Sequence, residues 1–227
     1  MIPSRIYDLS QPVFTNCPQY PDENPRPAQI RLFYMLAVQG VNKEIVEIST
    51  HTGTHCDAPF HFFEEGKTID QVPLETYVGQ ATILDLRDKQ PGSAIERSDV
   101  ERCADQIEVD DIVLLNTGGG QRRSNTKDFL MRYVYLSGEA AQFLVDRGVK
   151  GVGIDAVSMG GYNNPKTGIP PHRILLGSGK FIAEELYFPD EVMDGRKRLF
   201  VAAPVKLQGC SGAWTRAALW EWGDSSG

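Results

Sequence analysis

Three of the chain's four histidines, His51, His55 and His61, fall within eleven residues, with Asp57 among them. The fourth, His172, lies more than a hundred residues on. Neutral imidazole and carboxylate together suit zinc, manganese or iron(II). Two histidines and an aspartate leave coordination positions open, the mark of a catalytic ion rather than a structural one. Such an ion brings the pKa of water down toward neutrality. His61, further along, is placed to work as a general acid or base instead of a ligand. On the HxxxHxD spacing alone, an acid–base site without metal or a chance cluster are the competing readings.

Geometry limits how these residues can meet. In an α-helix, offsets of four, six and ten residues from His51 turn through about 40°, 240° and 280°, so the four side chains share no face. In a strand all four share one face, but a rise of about 3.3 Å per residue leaves His51 and Asp57 roughly 20 Å apart. No single ion bridges that distance. The segment must therefore be a strand that curls tightly, with Gly53 permitting the turn and Pro59 ending the pairing. On extended backbone Cys56 points away from His55 and Asp57.

The surrounding sequence supplies the frame. Strands are expected over Arg5–Leu9, Ile30–Val38, Lys43–Thr50, Gln80–Leu86, Lys180–Ala183 and Leu199–Ala202, and Pro73 opens a short helix through Tyr77. Ser98 to Glu101 has the form of a capping box that starts a helix to about Ala104. Asp111–Asn116 reads as a strand buried on both faces. Asp128–Arg132 reads as a helical turn. Ser137–Arg147 is the clearest helix, capped by Ser137 and ended by Gly148. Gly151–Asp155 reads as a second buried strand, so Asp111–Asp155 has the form of a βαβ unit. Long loops are expected over Gln11–Pro27, as a lid, an interface arm or a surface wrap, and over Met159–Gly168, followed by Pro170, Pro171 and His172. The expectation is one α/β domain over residues 1–227 with a mixed sheet.

Apolar residues make up 41% of the 227 and charged residues 23%, ordinary values for a globular protein. A net charge of −7 argues against nucleic acid or an anionic membrane as partner and leaves a small-molecule substrate open. The N-terminus lacks a signal-peptide core, and no apolar run spans a bilayer. Four widely spaced cysteines with no CxxC pair read as free thiols of a reducing compartment. Together these point to a cytoplasmic protein. No GxSxG setting surrounds Ser10, Ser49 or Ser211, and no Lys-Ser/Thr follows Thr117-Gly118-Gly119-Gly120 as a P-loop requires. Cys210, within Gly209-Cys210-Ser211-Gly212, reads as structural rather than as a nucleophile.

The run His51-Thr52-Gly53-Thr54-His55-Cys56-Asp57-Ala58-Pro59-Phe60-His61-Phe62 resembles the HxGTHxDxPxHF signature of the metal-dependent cyclase family, which includes bacterial kynurenine formamidase and isatin hydrolase. Every specified position matches. Gly66–Leu74, Val78-Gly79, Gly153–Ser158, His172–Leu176, Ile182–Leu186 and Pro204–Leu207 extend the resemblance over about residues 5 to 220. It implies a swivelling β/β/α fold and a homo-oligomer, dimer or tetramer, whose neighbouring subunits help to wall the pocket. It implies one metal held by His51, His55 and Asp57, with Asp57 bridging to a second held by His172 and Glu184. The ions are Zn(2+) or Mn(2+), one or two of them, and His61 is the acid–base residue. Glu184 and Glu185 face opposite ways on a strand, and the resemblance selects Glu184. The implied reaction is hydrolysis of a C–N bond, in an aryl formamide or a cyclic amide, by metal-activated water. Alternatives are isatin-hydrolase-like or lactone-opening chemistry, a cyclase-dehydratase, or a non-catalytic metal-binding module. The match weakens where substrate is selected: Gly119 and Gly120 stand where relatives often carry a large aromatic, and would widen the pocket, loosen the loop or simply form a plain turn.

Overall fold

The computed structural model describes residues 2–223; residue 1 and residues 224–227 of the expected 1–227 domain lie outside the described residues. Among the described residues thirteen strands are formed: β1 (Arg5–Asp8), β2 (Gln29–Tyr34), β3 (Lys43–Glu47), β4 (His55–Asp57), β5 (Val78–Asp85), β6 (Ala94–Ile95), β7 (Ile112–Asn116), β8 (Tyr135–Leu136), β9 (Gly151–Ile154), β10 (Phe181–Glu184), β11 (Arg198–Val201), β12 (Gly212–Trp214) and β13 (Ala218–Glu221). Among the same described residues five α-helices join them: α1 (Leu36–Gln39), α2 (Arg97–Glu101), α3 (Lys127–Met131), α4 (Gly138–Asp146) and α5 (Pro165–Gly177).

Nine strands form one mixed sheet in the order β1-β13-β11-β5-β7-β9-β10-β4-β12. Its centre, β5, β7, β9 and β10, is parallel, and antiparallel strands extend it on both sides. The mixed α/β single domain is the expected class. The parallel pair β7 and β9 with α4 between them is the βαβ unit read from Asp111–Asp155. Ser137 caps α4 by accepting from the Ala140 amide at 3.1 Å, and Gly148 follows in the left-handed region.

The sheet has an apolar core on each face. Along β7, Val113 and Leu115 enter the core beneath α2, α4 and α5, while Ile112 and Leu114 enter the opposite core with Tyr77, Phe181 and Phe200. This two-sided burial explains why β7 reads as an unbroken apolar run. The alternation also sorts β4 and β10. Cys56 and Ala183 belong to the second core, which leaves His55, Asp57 and Glu184 facing the other side. Strands β4 and β10 pair antiparallel with Glu184 opposite His55, and residues so paired bring their side chains together.

Several elements differ from expectation. The capping box of α2 uses Glu96 and Asp99, the Glu96 amide donating to Asp99 Oδ2 at 2.7 Å, rather than Ser98 and Glu101. The strand expected to reach Val38 ends at Tyr34, and one turn of helix follows. The segment after Asn164 is not loop but helix α5, with Pro170 and Pro171 inside it. Pro165 occupies the first turn, where a missing N–H costs nothing, and Asn164 Oδ1 caps the Lys166 amide at 3.0 Å. Pro171 cannot serve the Thr167 carbonyl four residues back; the Gly161 amide takes it instead at 3.2 Å. The backbone satisfaction that proline removes is thus restored from outside the helix. The tryptophan-rich tail forms two strands, β12 and β13, not anticipated from sequence.

Candidate metal centre

The segment before β4 curls where the spacing required. Gly53 has φ +74°, and a Cβ there would sit 2.7 Å from Val13. The curl carries His51 back over the strand, so that its Nδ1 lies 2.9 Å from Asp57 Oδ1. A single 3-10 turn, Pro59–His61, then returns His61, whose ring stacks on His51 with centroids 4.0 Å apart. From the far side α5 presents His172, with Nε2 3.0 Å from Glu184 Oε1. All six residues singled out from sequence therefore meet in one cluster.

The donors fall into two sets that share Asp57. His51, Asp57 and His61 can place one donor atom each within 4.8 Å of one another, and so can His55, Asp57 and Glu184. His55 Nε2 lies 3.4 Å from both Asp57 Oδ1 and Glu184 Oε2. His55 thus sits on the Glu184 side, and His61 falls within reach of the His51 side, a different division from the one the resemblance implied.

Outer partners decide which ring nitrogen is free. His55 Nδ1 lies 2.8 Å from the Gly53 carbonyl, and His172 Nδ1 lies 2.8 Å from the Gly168 carbonyl. A carbonyl only accepts, so both rings carry a proton on Nδ1 and turn Nε2 inward. For His55 that nitrogen faces carboxylate oxygens, and His55 Nε2 and Asp57 Oδ2 are buried with no hydrogen-bond partner. Buried polar atoms left without partners are costly, and a cation between them would satisfy both. The residues present therefore fit a divalent metal.

Charge supports the same fit. Burial pushes the Asp57 pKa up, but His61, His51 and His55 outweigh it and hold the carboxyl well below its ordinary range. Burial and Asp57 push Glu184 up, yet His172 and His55 beside it bring it down. Two ionised carboxylates, each about 1–4% exposed, thus share one cluster. The protein packed around one side of the His61 ring, helped by His51 and His172 and opposed by Asp57, lowers its pKa to about 4 although the residue is exposed. Its ring is neutral at pH 7 and opens onto the cavity.

Residues that local reading missed hold this arrangement from beneath. Glu185, in the left-handed region at φ +51°, turns to the opposite side from Glu184. Its Oε1 accepts from the Gly53 amide at 3.1 Å, and its Oε2 pairs with Arg123 Nε at 2.8 Å. Arg123 also donates to the Pro12 and Pro18 carbonyls. The ion pair is almost wholly buried. Replacing Arg123 by methionine should destabilise the fold by about 3–5 kcal/mol, the cost of leaving a buried charge unpaired, as read by urea unfolding. A loss below about 1 kcal/mol would show that the pair does not brace the Gly53 turn. The signal for Glu185 was its adjacency to Glu184, but nothing local announced Arg123.

A cavity of about 450 Å³ opens over the cluster, lined among others by His51, His61, Phe62, His172 and Glu184. Gln19, Tyr20 and Asp22 of the first long loop wall it, so this part of the loop is more than a surface wrap. The 159–168 segment contributes Gly161, Asn163, Asn164 and Gly168. Tyr20 packs on Tyr162, with centroids 5.8 Å apart, so the two walls brace each other. The Thr117–Gly120 loop is absent from this lining. Asp155 pins it instead, accepting from the Thr117 amide and hydroxyl and from the Gly120 amide at 2.7–3.1 Å. The glycines there neither widen the pocket nor loosen the loop.

Residues 7–160 match the model of the Cyclase family, described as "Putative cyclase". The chain belongs to this family. Among curated relatives, the cyclase-family chain is 28% identical over 216 residues to the kynurenine formamidase of Bacillus thuringiensis (strain Al Hakam), covering 95% of this chain and 97% of that protein. It is 30% identical over 217 residues to the kynurenine formamidase of Bacillus cytotoxicus, with the same coverage. A solved structure described as a potential metal-dependent hydrolase with cyclase activity superposes with a TM-score of 0.78 at 28% identity, covering 96% of this chain and 98% of that one. Isatin hydrolase A from Labrenzia aggregata superposes with a TM-score of 0.85 at 23% identity, over 96% and 94% of the two chains, and shares the fold.

Proposed function

We propose that this cyclase-family chain is a metal-dependent hydrolase that cleaves the C–N bond of a small aryl formamide or cyclic aryl amide. The observation that carries the reading is the cluster itself: two donor sets sharing Asp57 beneath a partly aromatic cavity. The kynurenine formamidase relatives, matched over nearly their whole length, support the choice of bond.

His51, His55, Asp57, His172 and Glu184 would hold the metal, Zn(2+) or Mn(2+), and two donor sets sharing one carboxylate favour two ions. When bound, the metal supplies Lewis acidity toward water and toward the amide carbonyl. The rest falls to the chain's own groups. His61 Nδ1 or Nε2, neutral at pH 7, takes the proton released as water adds to the carbonyl carbon. The same ring returns that proton to the nitrogen as the C–N bond breaks, giving an amine and a carboxylate. Phe62 lies against the His172 ring at 4.6 Å and with Tyr20 and Ile169 offers apolar surface to an aryl ring. Among the described lining residues there is no Lys or Arg, and Asp22 stands on the wall. A substrate whose far end is uncharged or positive suits this lining.

The test is metal analysis of the purified protein followed by turnover assays with aryl formamides, cyclic amides and lactones. Metal-dependent release of an aromatic amine supports the reading. Metal binding without turnover of any of the three overturns it in favour of a non-catalytic metal-binding module.

The β2–β3 hairpin supports assembly of like chains. All of its residues but Gln29 are exposed, and its tip carries Leu36 and Val38 at 63% and 69% exposure. An apolar arm of this kind marks an interaction surface. It leads directly into Ser49 and His51 at the cavity, so a second copy covering it would reach the site. The chain should therefore be a dimer or larger by light scattering, and Leu36→Asp with Val38→Asp should shift it to monomer. No residue of α1 is buried, so the fold should tolerate both changes. A monomeric parent protein would remove the proposal. Among the described residues no helix is long and apolar enough to cross a membrane, and four free cysteines support a cytoplasmic site of action.

A further inference from the structure

We propose that Ser211 is the positioning residue that lets His51 change tautomer when metal enters; this rests on the reading of His51 as a ligand. His51 differs from the other two candidate imidazole ligands. His55 and His172 are held by backbone carbonyls, which fix the proton on Nδ1 whether or not an ion is present. His51 is held by a hydroxyl: Ser211 Oγ lies 2.8 Å from Nε2, while Nδ1 lies 2.9 Å from Asp57 Oδ1.

The two contacts are linked by proton placement. Without metal, the ionised Asp57 accepts from Nδ1–H, and Nε2 carries a lone pair. The Ser211 hydroxyl then donates to Nε2. If His51 holds the metal through Nδ1, that atom would offer its lone pair and the ring proton would move to Nε2. The Ser211 hydroxyl then accepts from Nε2–H. One proton leaves Nδ1 and one arrives at Nε2, so the ring's proton count is unchanged. A hydroxyl rotates to serve both states, whereas a carbonyl serves only the second.

The surroundings hold Ser211 to this task. Its carbonyl accepts from the Ala58 amide at 2.8 Å. The preceding turn is tied by the Ile69 amide to the Cys210 carbonyl at 2.9 Å and by the Gly209 amide to Asp70 Oδ1 at 3.0 Å. Next in sequence, Gly212 lets the His51 ring lie against the strand: a Cβ there would stand 2.6 Å from His51 Cε1. Trp214 Nε1 donates to the Ser49 carbonyl at 2.9 Å and fixes the backbone just before His51. The start of β12 is thus a seat for one ring, although it lies beyond the 7–160 segment that matches the family model.

The test uses the full-length protein with Zn(2+) alone as probe. The His51 tautomer is read from two-bond 15N–1H correlations in metal-free and zinc-loaded samples, and zinc affinity from chelator competition. The parent protein should carry the His51 proton on Nδ1 without metal and on Nε2 with it. Ser211→Ala should weaken zinc binding by about 10–100-fold, the range for losing an outer partner of a ligand, and Ser211→Thr should restore it. An unchanged tautomer, or a Ser211→Ala affinity within about twofold of the parent's, overturns the proposal while zinc binding stands. A parent protein that binds no zinc overturns the ligand reading itself.

Discussion

Asparagine in place of Asp57 should empty the metal centre while leaving the fold intact. Asp57 is the residue common to both donor sets. Its Oδ1 stands 2.9 Å from His51 Nδ1 and 3.4 Å from His55 Nε2, and its Oδ2 is buried without a partner. The amide is nearly isosteric, so packing changes little. What changes is charge and the loss of one acceptor, because one carboxylate oxygen becomes an NH₂ that can only donate. Removing an outer partner of a ligand costs about 10–100-fold in affinity; removing the shared anion should cost more than the upper end of that range. Metal analysis after dialysis should find almost none in the variant, with an unchanged far-ultraviolet dichroism spectrum. Full metal content in Asp57→Asn would sink the assignment of Asp57 as the shared ligand.

The logic of this site was partly visible in the sequence because local geometry constrained it. Four chemically competent side chains at odd positions can meet only if the strand curls, and Gly53 is where it does. The β7–α4–β9 unit was legible for a similar reason: its cap, its terminating Gly148 and its two-sided apolar strands are local signals. What escaped depends on partners distant in sequence. Helix α5 breaks the proline rule because the Gly161 amide serves the Thr167 carbonyl, and no window around Pro171 contains that fact. Glu185 and Arg123 are 62 residues apart, and Ser211 lies 160 residues from His51. The short β12 is a strand because it pairs with β4, not because its own residues demand it. His172 and Glu184 were reached only through the family resemblance, since a histidine after two prolines and one of two adjacent glutamates carry no local mark of a ligand.

His61 separates chemistry from metal holding, and its replacement by alanine carries the second large effect. It follows β4 by one 3-10 turn, faces the cavity and stacks on His51 at 4.0 Å. Its surroundings favour a neutral ring, with the pKa lowered to about 4, so the base form is present at pH 7 and needs no prior deprotonation. A residue that relays a proton contributes about 10²–10⁴-fold to turnover, which is about 2.7–5.4 kcal/mol of barrier. Because His61 also lies within ligand reach of His51 and Asp57, kcat and metal content must be measured together on His61→Ala. Retained metal with kcat lowered by about 10²–10⁴-fold is the outcome of an acid–base role. Metal lost alongside activity would make His61 a ligand, and unchanged kcat would take it out of the mechanism. The choice matters for specificity as well. A proton relay at the cavity wall acts only on substrates that bring their leaving nitrogen to that wall, so the position of His61 beside Phe62 ties the bond that is cut to where the aryl ring is held.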